Sequence, residues 1–369
     1  MTAQRRVGVG IIGTGNISSA YLKAMQGFDV LDIRGLADLK PELAQSRAAE
    51  FGLSAYPSVD ALLDDPAVEI VVNLTIPRAH VEVGLRALAK GKHVYGEKPL
   101  GINFAEGKKL VEAGRAAGRR VGSAPDTFLG GSHQQARAVI DSGAIGKVIG
   151  GSAYFACPGH EFWHPDPAFY YDIGGGPVLD MAPYYITQLV NLLGPVARVH
   201  AFSLTPALER PIRSEPKKGQ MMPVKVATHV TGTLLFASGA LIQTTFSFDV
   251  PKHRHVPYEL YGTEGTLFNP DPNIFGGELS IAKPRGEFEV VPVTQPYADG
   301  NYRSLGVADM AHAILADRPH RASGDLALHV LEVMEAFDVS SREARTVDIA
   351  TPVQRPAPLS DDLVDGKLG

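Results

Sequence analysis

The first third of the chain alternates short apolar runs with amphipathic stretches, and this alternation constrains the fold more than any other feature. "RVGVGII" (residues 6–12) reads as a buried strand, and "NISSAYLKAMQG" as a helix closed by Gly27, glycine in its usual place just past a helix end. The series continues with "PELAQSRAAEFG" helical, "EIVVNLT" a strand, "RAHVEVGLRALAKG" helical, "KHVYG" a strand, "FAEGKKLVEAGRAAG" helical and "RRVGSA" a strand. Strands separated by helices predict a parallel sheet covered on both faces, with ligands at the carboxyl ends of the strands. Residues 1–124 are therefore expected to form an α/β Rossmann-type dinucleotide-binding domain.

Two registers fit a glycine fingerprint: Gly8-Gly10-Gly13, and Gly13-Gly15 with Ser18 in the third place. The first sets glycines inside the strand. The second sets them at the strand-to-helix turn, where backbone N–H groups and the helix start at Asn16 and Ile17 can receive a pyrophosphate. The second is chosen, with Ser18 as a small substitute for the glycine that lets helix and strand pack closely. The next strand, "VLDIRGLAD", ends in Asp38, at the spacing of the acid that takes a ribose 2′-hydroxyl. A carboxylate there repels a 2′-phosphate, so NAD is expected over NADP, and Lys40 is read as a solvated residue at a helix start. Thr75, Pro77 and His80 follow one strand end, and Glu97 and Lys98 follow another, which makes all five candidate cofactor contacts.

After residue 125 the texture changes. Strand-like runs at 147–156, 196–205, 224–236, 240–250, 257–268 and 278–293 mostly lack helices between them, which predicts an α+β domain over 125–350 with a large, mostly antiparallel open sheet. Its main helix, "PVLDMAPYYITQLVNLLG", is led by Gly174, Gly175 and Gly176. At helical spacing Ala182, Ile186, Leu189 and Leu193 form one stripe, while Asp180, Tyr184, Gln188 and Asn191 lie roughly opposite. Tyr185 points elsewhere and is read as packing. Residues 304–319 and 324–344 read as two final helices, and 351–369, rich in proline and charge, as an extended tail or a disordered one.

"HEFWH", residues 160–164, matches the H-E-x-x-H pattern of zinc peptidases, which requires a helix so that both imidazoles face one metal. Pro158 and Gly159 precede it and Pro165 and Pro167 follow it, so the two histidines are not expected to share a helix face. Glu209 has nothing around it to recommend it as a third ligand, and no metal is expected. A net charge of −5 with a pI near 6.2 and no basic run argues against nucleic acid. The start "MTAQRRVGVGII" has neither a signal-peptide pattern nor a membrane span, and the single Cys157 fits a reducing compartment and reads as a packed thiol, so the protein is expected in the cytoplasm.

The segments "GIIGTGNIS", "GKHVYGEKPLG", "DSGAIGKV", "GGGPVLDMAPYYITQLVNLLG" and "YGTEGTL", spread over nearly the whole chain, resemble the glucose-fructose oxidoreductase, inositol dehydrogenase and rhizopine-catabolism (Gfo/Idh/MocA) family. The resemblance implies NAD(P)-dependent oxidation of a ring hydroxyl on a sugar or cyclitol, with the reverse reduction available. It also implies that the lysine of Glu-Lys-Pro and a D-x-x-x-H pair line the site: Lys98 matches the lysine, Asp180 the aspartate, and Tyr184 stands where histidine is usual. Tyrosine has an ordinary pKa of about 10, so a neighbouring cation is needed before it serves as a base. The expectation is that Tyr184 passes the proton with Lys98 beside it while Asp180 binds a neighbouring hydroxyl or fixes Lys98. The alternative is that Lys98 is itself the base.

The loop "CPGHEFWHPDPAFYYD" leads into the catalytic helix. Its aromatic and polar residues suit a carbohydrate pocket, so Trp163, His164, Asp166 and Tyr170 are candidate substrate contacts. Asp126 is a further candidate, and His253 and His255 are read as a surface turn. The open sheet face is expected to pair with another subunit, giving a homodimer or homotetramer. Two rival functions fit the same residues: an NAD-dependent glycosidase working by transient oxidation and elimination, and a nucleotide-binding regulator without turnover.

Overall fold

The computed structural model describes residues 5–360, 363 and 368. The chain divides into two compact units. The first holds β1 (Val7–Ile12), α1 (Asn16–Met25), β2 (Leu31–Ala37), α2 (Pro41–Phe51), α3 (Val59–Asp64), β3 (Ile70–Asn73), α4 (His80–Ala89), β4 (His93–Gly96), α5 (Phe104–Ala116) and β5 (Val121–Ser123). Its strands pair in parallel in the order β2-β1-β3-β4-β5, the arrangement expected from the alternation. Val9, Ile11, Val71 and Val72 are fully buried, as strands covered on both faces must be. Gly8 lies inside β1, where a Cβ would collide with the carbonyl of Ala67 at 1.8 Å. Gly8 therefore serves the sheet, and the turn belongs to Gly13 and Gly15.

Helix α6 (Gly131–Asp141) carries the chain from the first unit into the second. There follow β6 (Val148–Ala156), α7 (Gly176–Leu193), β7 (Val196–Leu204), β8 (Glu209–Pro211), β9 (Met221–Pro223), β10 (His229–Phe236), β11 (Leu241–Ser247), β12 (Tyr258–Gly262), β13 (Thr266–Asn269), β14 (Ser280–Ala282), β15 (Glu289–Val290), α8 (Leu305–Ala316), α9 (Gly324–Glu343) and β16 (Val347–Asp348). The large sheet runs β15-β14-β13-β12-β6-β11-β10-β7-β16 and is antiparallel except for the β6–β11 pair; β8 and β9 form a separate hairpin. Val199, Leu234, Ile242 and Leu260 line its covered face, where Phe246 meets Phe337 of α9 edge-on. The opposite face carries the row Phe202–Thr231–Thr245–Tyr154 in register across β7, β10, β11 and β6.

One boundary differs from the sequence reading, which assigned everything from 125 to 350 to the second domain. Residues 294–328 return to the first unit, and so does the segment 356–360. The reason is local: the buried Asp126 carboxylate accepts the N–H groups of Ser304 and Gly306, both at 3.0 Å, and so caps α8. Leu305, Val307, Met310 and Ala311 of that helix are fully buried. The tail forms an extended arm over 351–360, with Arg321 donating to the carbonyls of Ala357 and Pro358 and Leu359 N–H to Gln134.

Removing the Asp126 acceptor strands two buried N–H donors, which costs roughly 1–3 kcal/mol each way the cap is counted. Asp126→Ala is therefore expected to lower the thermal unfolding midpoint by several degrees, and Asp126→Asn, which keeps one oxygen, by less. Calorimetry checks both.

Candidate functional site

The first unit presents a turn shaped for a dinucleotide. Gly13 has φ +97°, and a Cβ there would meet the Leu74 carbonyl at 2.6 Å, so only glycine fits. At Gly15 a Cβ would meet nothing within 4 Å, which leaves open space beside the start of α1. That helix has no side-chain cap and no acid in its first turn, so the N–H groups around Asn16 and Ile17 keep their positive end unneutralised. Ser18 is fully buried, with its hydroxyl donating to the Gly15 carbonyl at 2.7 Å, which makes it a packed and satisfied replacement for a third glycine. Asp38 follows β2; its Oδ2 accepts Thr14 N–H at 2.8 Å and Thr14 Oγ at 2.9 Å, while Oδ1 accepts Lys40 N–H at 3.0 Å. The carboxylate is thereby tied to the glycine turn, and Lys40 contributes through its backbone.

The loops after β3 and β4 are tied together as well. The side-chain oxygen of Asn73 accepts from Thr75 Oγ at 2.7 Å. His80 is buried between carbonyls, Nδ1 at 2.7 Å from Pro99 and Nε2 at 3.1 Å from Thr75, and burial pushes its pKa down. The ring thereby ties the Thr75–Pro77 turn to the loop that carries Lys98. Glu97 is buried too, accepting the Tyr21 hydroxyl at 2.8 Å and Lys98 N–H at 2.8 Å. Glu97 thus anchors the motif to α1, and Lys98 beside it is half-buried. Asp126, expected as a substrate contact, has its carboxylate occupied as the cap of α8.

In the second unit α7 continues through Pro183, which has no N–H to give the Leu179 carbonyl. Asp180 and Tyr184, four residues apart, lie on one face. The polar stripe is not solvated: Tyr184, Gln188 and Asn191 are all buried. Tyr185 packs as expected, against Phe155, Phe246 and Tyr258, with its hydroxyl donating to the Tyr154 carbonyl at 3.3 Å. The glycines before α7 have a steric cause, since a Cβ on Gly175 would meet the carbonyls of Phe169 and Tyr170 at 2.5 and 2.6 Å.

The loop from 157 to 172 contains only short 3-10 turns, His160–Phe162 and Pro167–Tyr170, so the H-E-x-x-H residues share no helix face. Glu161 is 2% exposed and belongs to an ion pair: Arg210 of β8 reaches it at 2.7 Å, and the Tyr171 hydroxyl donates to its other oxygen. Arg210 also donates to Asp249 and to the carbonyls of Pro158 and Phe248. His160 turns the other way, with Nε2 at 3.0 Å from Asp180 Oδ2 and Nδ1 at 3.1 Å from Trp163 Nε1. His164 Nδ1 accepts Asp166 N–H at 3.0 Å. The Asp166 carboxylate pairs with Lys217 at 2.8 Å, which weakens its case as a sugar contact. Trp163 is 61% exposed, and the Tyr170 ring packs at a tilt against His160 with 4.1 Å between centroids. His253 and His255 are exposed and pack on Tyr154. Burial pushes the Cys157 thiol up to about 11, which suits a packed rather than a reactive cysteine. Sequence reading missed His160 and Arg210, whose partners lie 20 and 49 residues away.

The Glu161–Arg210 pair makes a prediction that a zinc site would not. Breaking a buried ion pair costs about 3 kcal/mol, so Glu161→Ala is expected to lower the unfolding midpoint, and a chelator is expected to leave both stability and turnover of the wild type unchanged. A zinc enzyme would lose activity to the chelator.

Residues 7–124 match the oxidoreductase family with an NAD-binding Rossmann fold, and residues 133–268 match the GFO/IDH/MocA C-terminal domain. Levoglucosan dehydrogenase of Pseudarthrobacter phenanthrenivorans is 26% identical over 289 residues, covering 71% of this chain and 73% of the relative. Inositol 2-dehydrogenase of Pseudomonas fluorescens is 35% identical over 150 residues, covering 38% of this chain and 43% of the relative. A solved structure of levoglucosan dehydrogenase in complex with NADH and L-sorbose shares the fold at a TM-score of 0.82 and 24% identity, over 94% of this chain and 99% of that one. With one half of the family's architecture matched in each part of the sequence, the chain belongs to the GFO/IDH/MocA family of NAD-binding oxidoreductases.

Proposed function

We propose that the enzyme transfers a hydride between the nicotinamide of NAD and a secondary ring hydroxyl, or the matching ketone, of a sugar, glycoside or cyclitol. The observation that carries this reading is the pairing of Asp180 and Tyr184 on one face of α7 beside a loop whose Trp163 ring is 61% exposed. An exposed indole face next to fixed polar groups suits a polyol, whose C–H faces stack while its hydroxyls find partners. Relatives named for levoglucosan and inositol point to the same class.

The residues of the first unit fit the dinucleotide: the space at Gly15 and the uncapped start of α1 suit a pyrophosphate, and Asp38 favours a ribose diol over a 2′-phosphate. Thr75 and Pro77 would line the nicotinamide side. Bound NAD supplies the hydride acceptor. The protein handles the proton: Tyr184 Oη takes it from the hydroxyl, Lys98 Nζ contributes the positive charge that favours tyrosinate and orients the hydroxyl, and Asp180 holds a neighbouring hydroxyl. Trp163, His164 and Tyr170 bound the substrate. The partly buried lone thiol of Cys157 suits a reducing compartment, and we place the enzyme in the cytoplasm.

The open face of the large sheet supports a further part of this reading. Phe202 and Leu204 are 62% and 60% exposed beside the threonines of β10 and β11, a flat surface suited to a second copy of the chain.

With NAD⁺ or NADP⁺ and a panel of monosaccharides, methyl glycosides and inositols, absorbance of the reduced nicotinamide is expected to grow faster with NAD⁺. Lys98→Ala, Tyr184→Phe and Asp180→Asn are each expected to lower kcat by roughly 100-fold or more. Full activity in Tyr184→Phe would assign the proton to Lys98, and aglycone release without net reduction would move the reading to oxidation with elimination. Light scattering is expected to give a dimer or tetramer; a monomeric mass would remove the role given to the sheet face.

A further inference from the structure

Position 184, one turn after Asp180, holds tyrosine, yet Asp180 does have an imidazole against it. It comes from the loop: His160 Nε2 lies 3.0 Å from Asp180 Oδ2, and the two residues are 20 positions apart. The ring is held on several sides, by Tyr170 at 4.1 Å, Phe248 at 4.5 Å and Trp163 at 5.4 Å between centroids. Behind it, Glu161 is locked to Arg210 and the Tyr171 hydroxyl, which also accepts His160 N–H at 3.2 Å.

The hydrogen bonds determine which nitrogen carries the proton. An indole N–H only donates. Trp163 Nε1 lies 3.1 Å from His160 Nδ1, so Nδ1 must present its lone pair, and the single ring proton of a neutral imidazole sits on Nε2. Nε2–H then donates to Asp180. A doubly protonated ring would set two donors against each other at Nδ1, and the other neutral tautomer would leave a lone pair facing the carboxylate. The chain Trp163–His160–Asp180 is therefore directional. With both nitrogens occupied, His160 has none to offer a substrate hydroxyl, so its effect passes through the carboxylate.

We propose that His160 is a positioning residue for Asp180, fixing the carboxylate through Nε2–H, with Trp163 selecting the tautomer that can do so. The inference rests on the assignment of Asp180 to the substrate site. It brings an imidazole to Asp180 from a loop, and it gives the first histidine of the H-E-x-x-H string a task unrelated to zinc. It also gives Trp163 two tasks: its indole N–H holds the ring of His160 while its exposed face is open to substrate.

The test separates geometry from chemistry. A glutamine amide can reproduce a donor at the Nε2 position, an asparagine amide reaches only the Nδ1 position, and phenylalanine offers neither. His160→Phe is expected to lower kcat about tenfold or more, with the KM for NAD⁺ unchanged; His160→Gln recovers most of the loss and His160→Asn does not. Nitrogen-15 NMR of the histidine-labelled, ligand-free protein is expected to show His160 as the Nε2–H tautomer at neutral pH, and Trp163→Phe is expected to release that preference. Wild-type kcat in His160→Phe, equal behaviour of the glutamine and asparagine variants, or an Nδ1–H tautomer in the wild type would each overturn the proposal. Because the NMR measurement needs no turnover, an inactive Asp180 assignment is told apart from a failed His160 one: full activity in Asp180→Asn sinks the assignment, while the tautomer alone decides the geometry.

Discussion

The ion pair between the buried Glu161 carboxylate and the partly buried Arg210 guanidinium is the interaction on which the path of the 157–172 loop depends. Arg210 gathers the Glu161 carboxylate, the Asp249 carboxylate and the carbonyls of Pro158 and Phe248 around one guanidinium. A planar group with five donors can hold several acceptors in fixed directions, which lysine cannot. The loop between β6 and α7 has almost no regular structure of its own, so this one side chain largely sets its path. Because Glu161 points into the pair, its neighbour His160 is turned toward α7 and reaches Asp180. The glycines at 174–176 complete the arrangement by admitting the backbone of Phe169 and Tyr170 against the helix start.

In the nucleotide-binding unit the corresponding constraint is the parallel sheet. Parallel order puts the carboxyl ends of β1, β2, β3 and β4 on one edge, and with them the glycine turn, Asp38, the Thr75 turn and Lys98. Polar side chains then fix these loops to one another: Asp38 to Thr14, Asn73 to Thr75, His80 between Thr75 and Pro99, Glu97 between Tyr21 and Lys98. Several residues that look like ligand contacts in the sequence are the ties that hold a contact in place.

Whatever repeats at a short spacing was legible in the sequence. The strand and helix periods gave the parallel sheet and the long helix, the turn chemistry gave Gly13 and Gly15, and the four-residue spacing paired Asp180 with Tyr184. What depends on partners far apart in sequence was not legible. Asp126 caps a helix 178 residues later, so a carboxylate at a strand end looked like a substrate ligand and α8 was assigned to the wrong unit. An all-round apolar helix does not say which sheet it covers. His160 looked like half of a metal motif because local spacing shows which side chains share a face only when the backbone is helical, and here proline and glycine keep it from being so.

Isotope transfer reports directly on hydride movement from a ring carbon to the nicotinamide. Sugars and inositols deuterated at carbon would be incubated with the protein and NAD⁺, and the reduced nucleotide examined by proton NMR. Deuterium is expected at C4 of the nicotinamide, delivered to one face. Reduced nucleotide carrying only solvent hydrogen at C4, or substrate consumed with no label reaching the nucleotide, would contradict it.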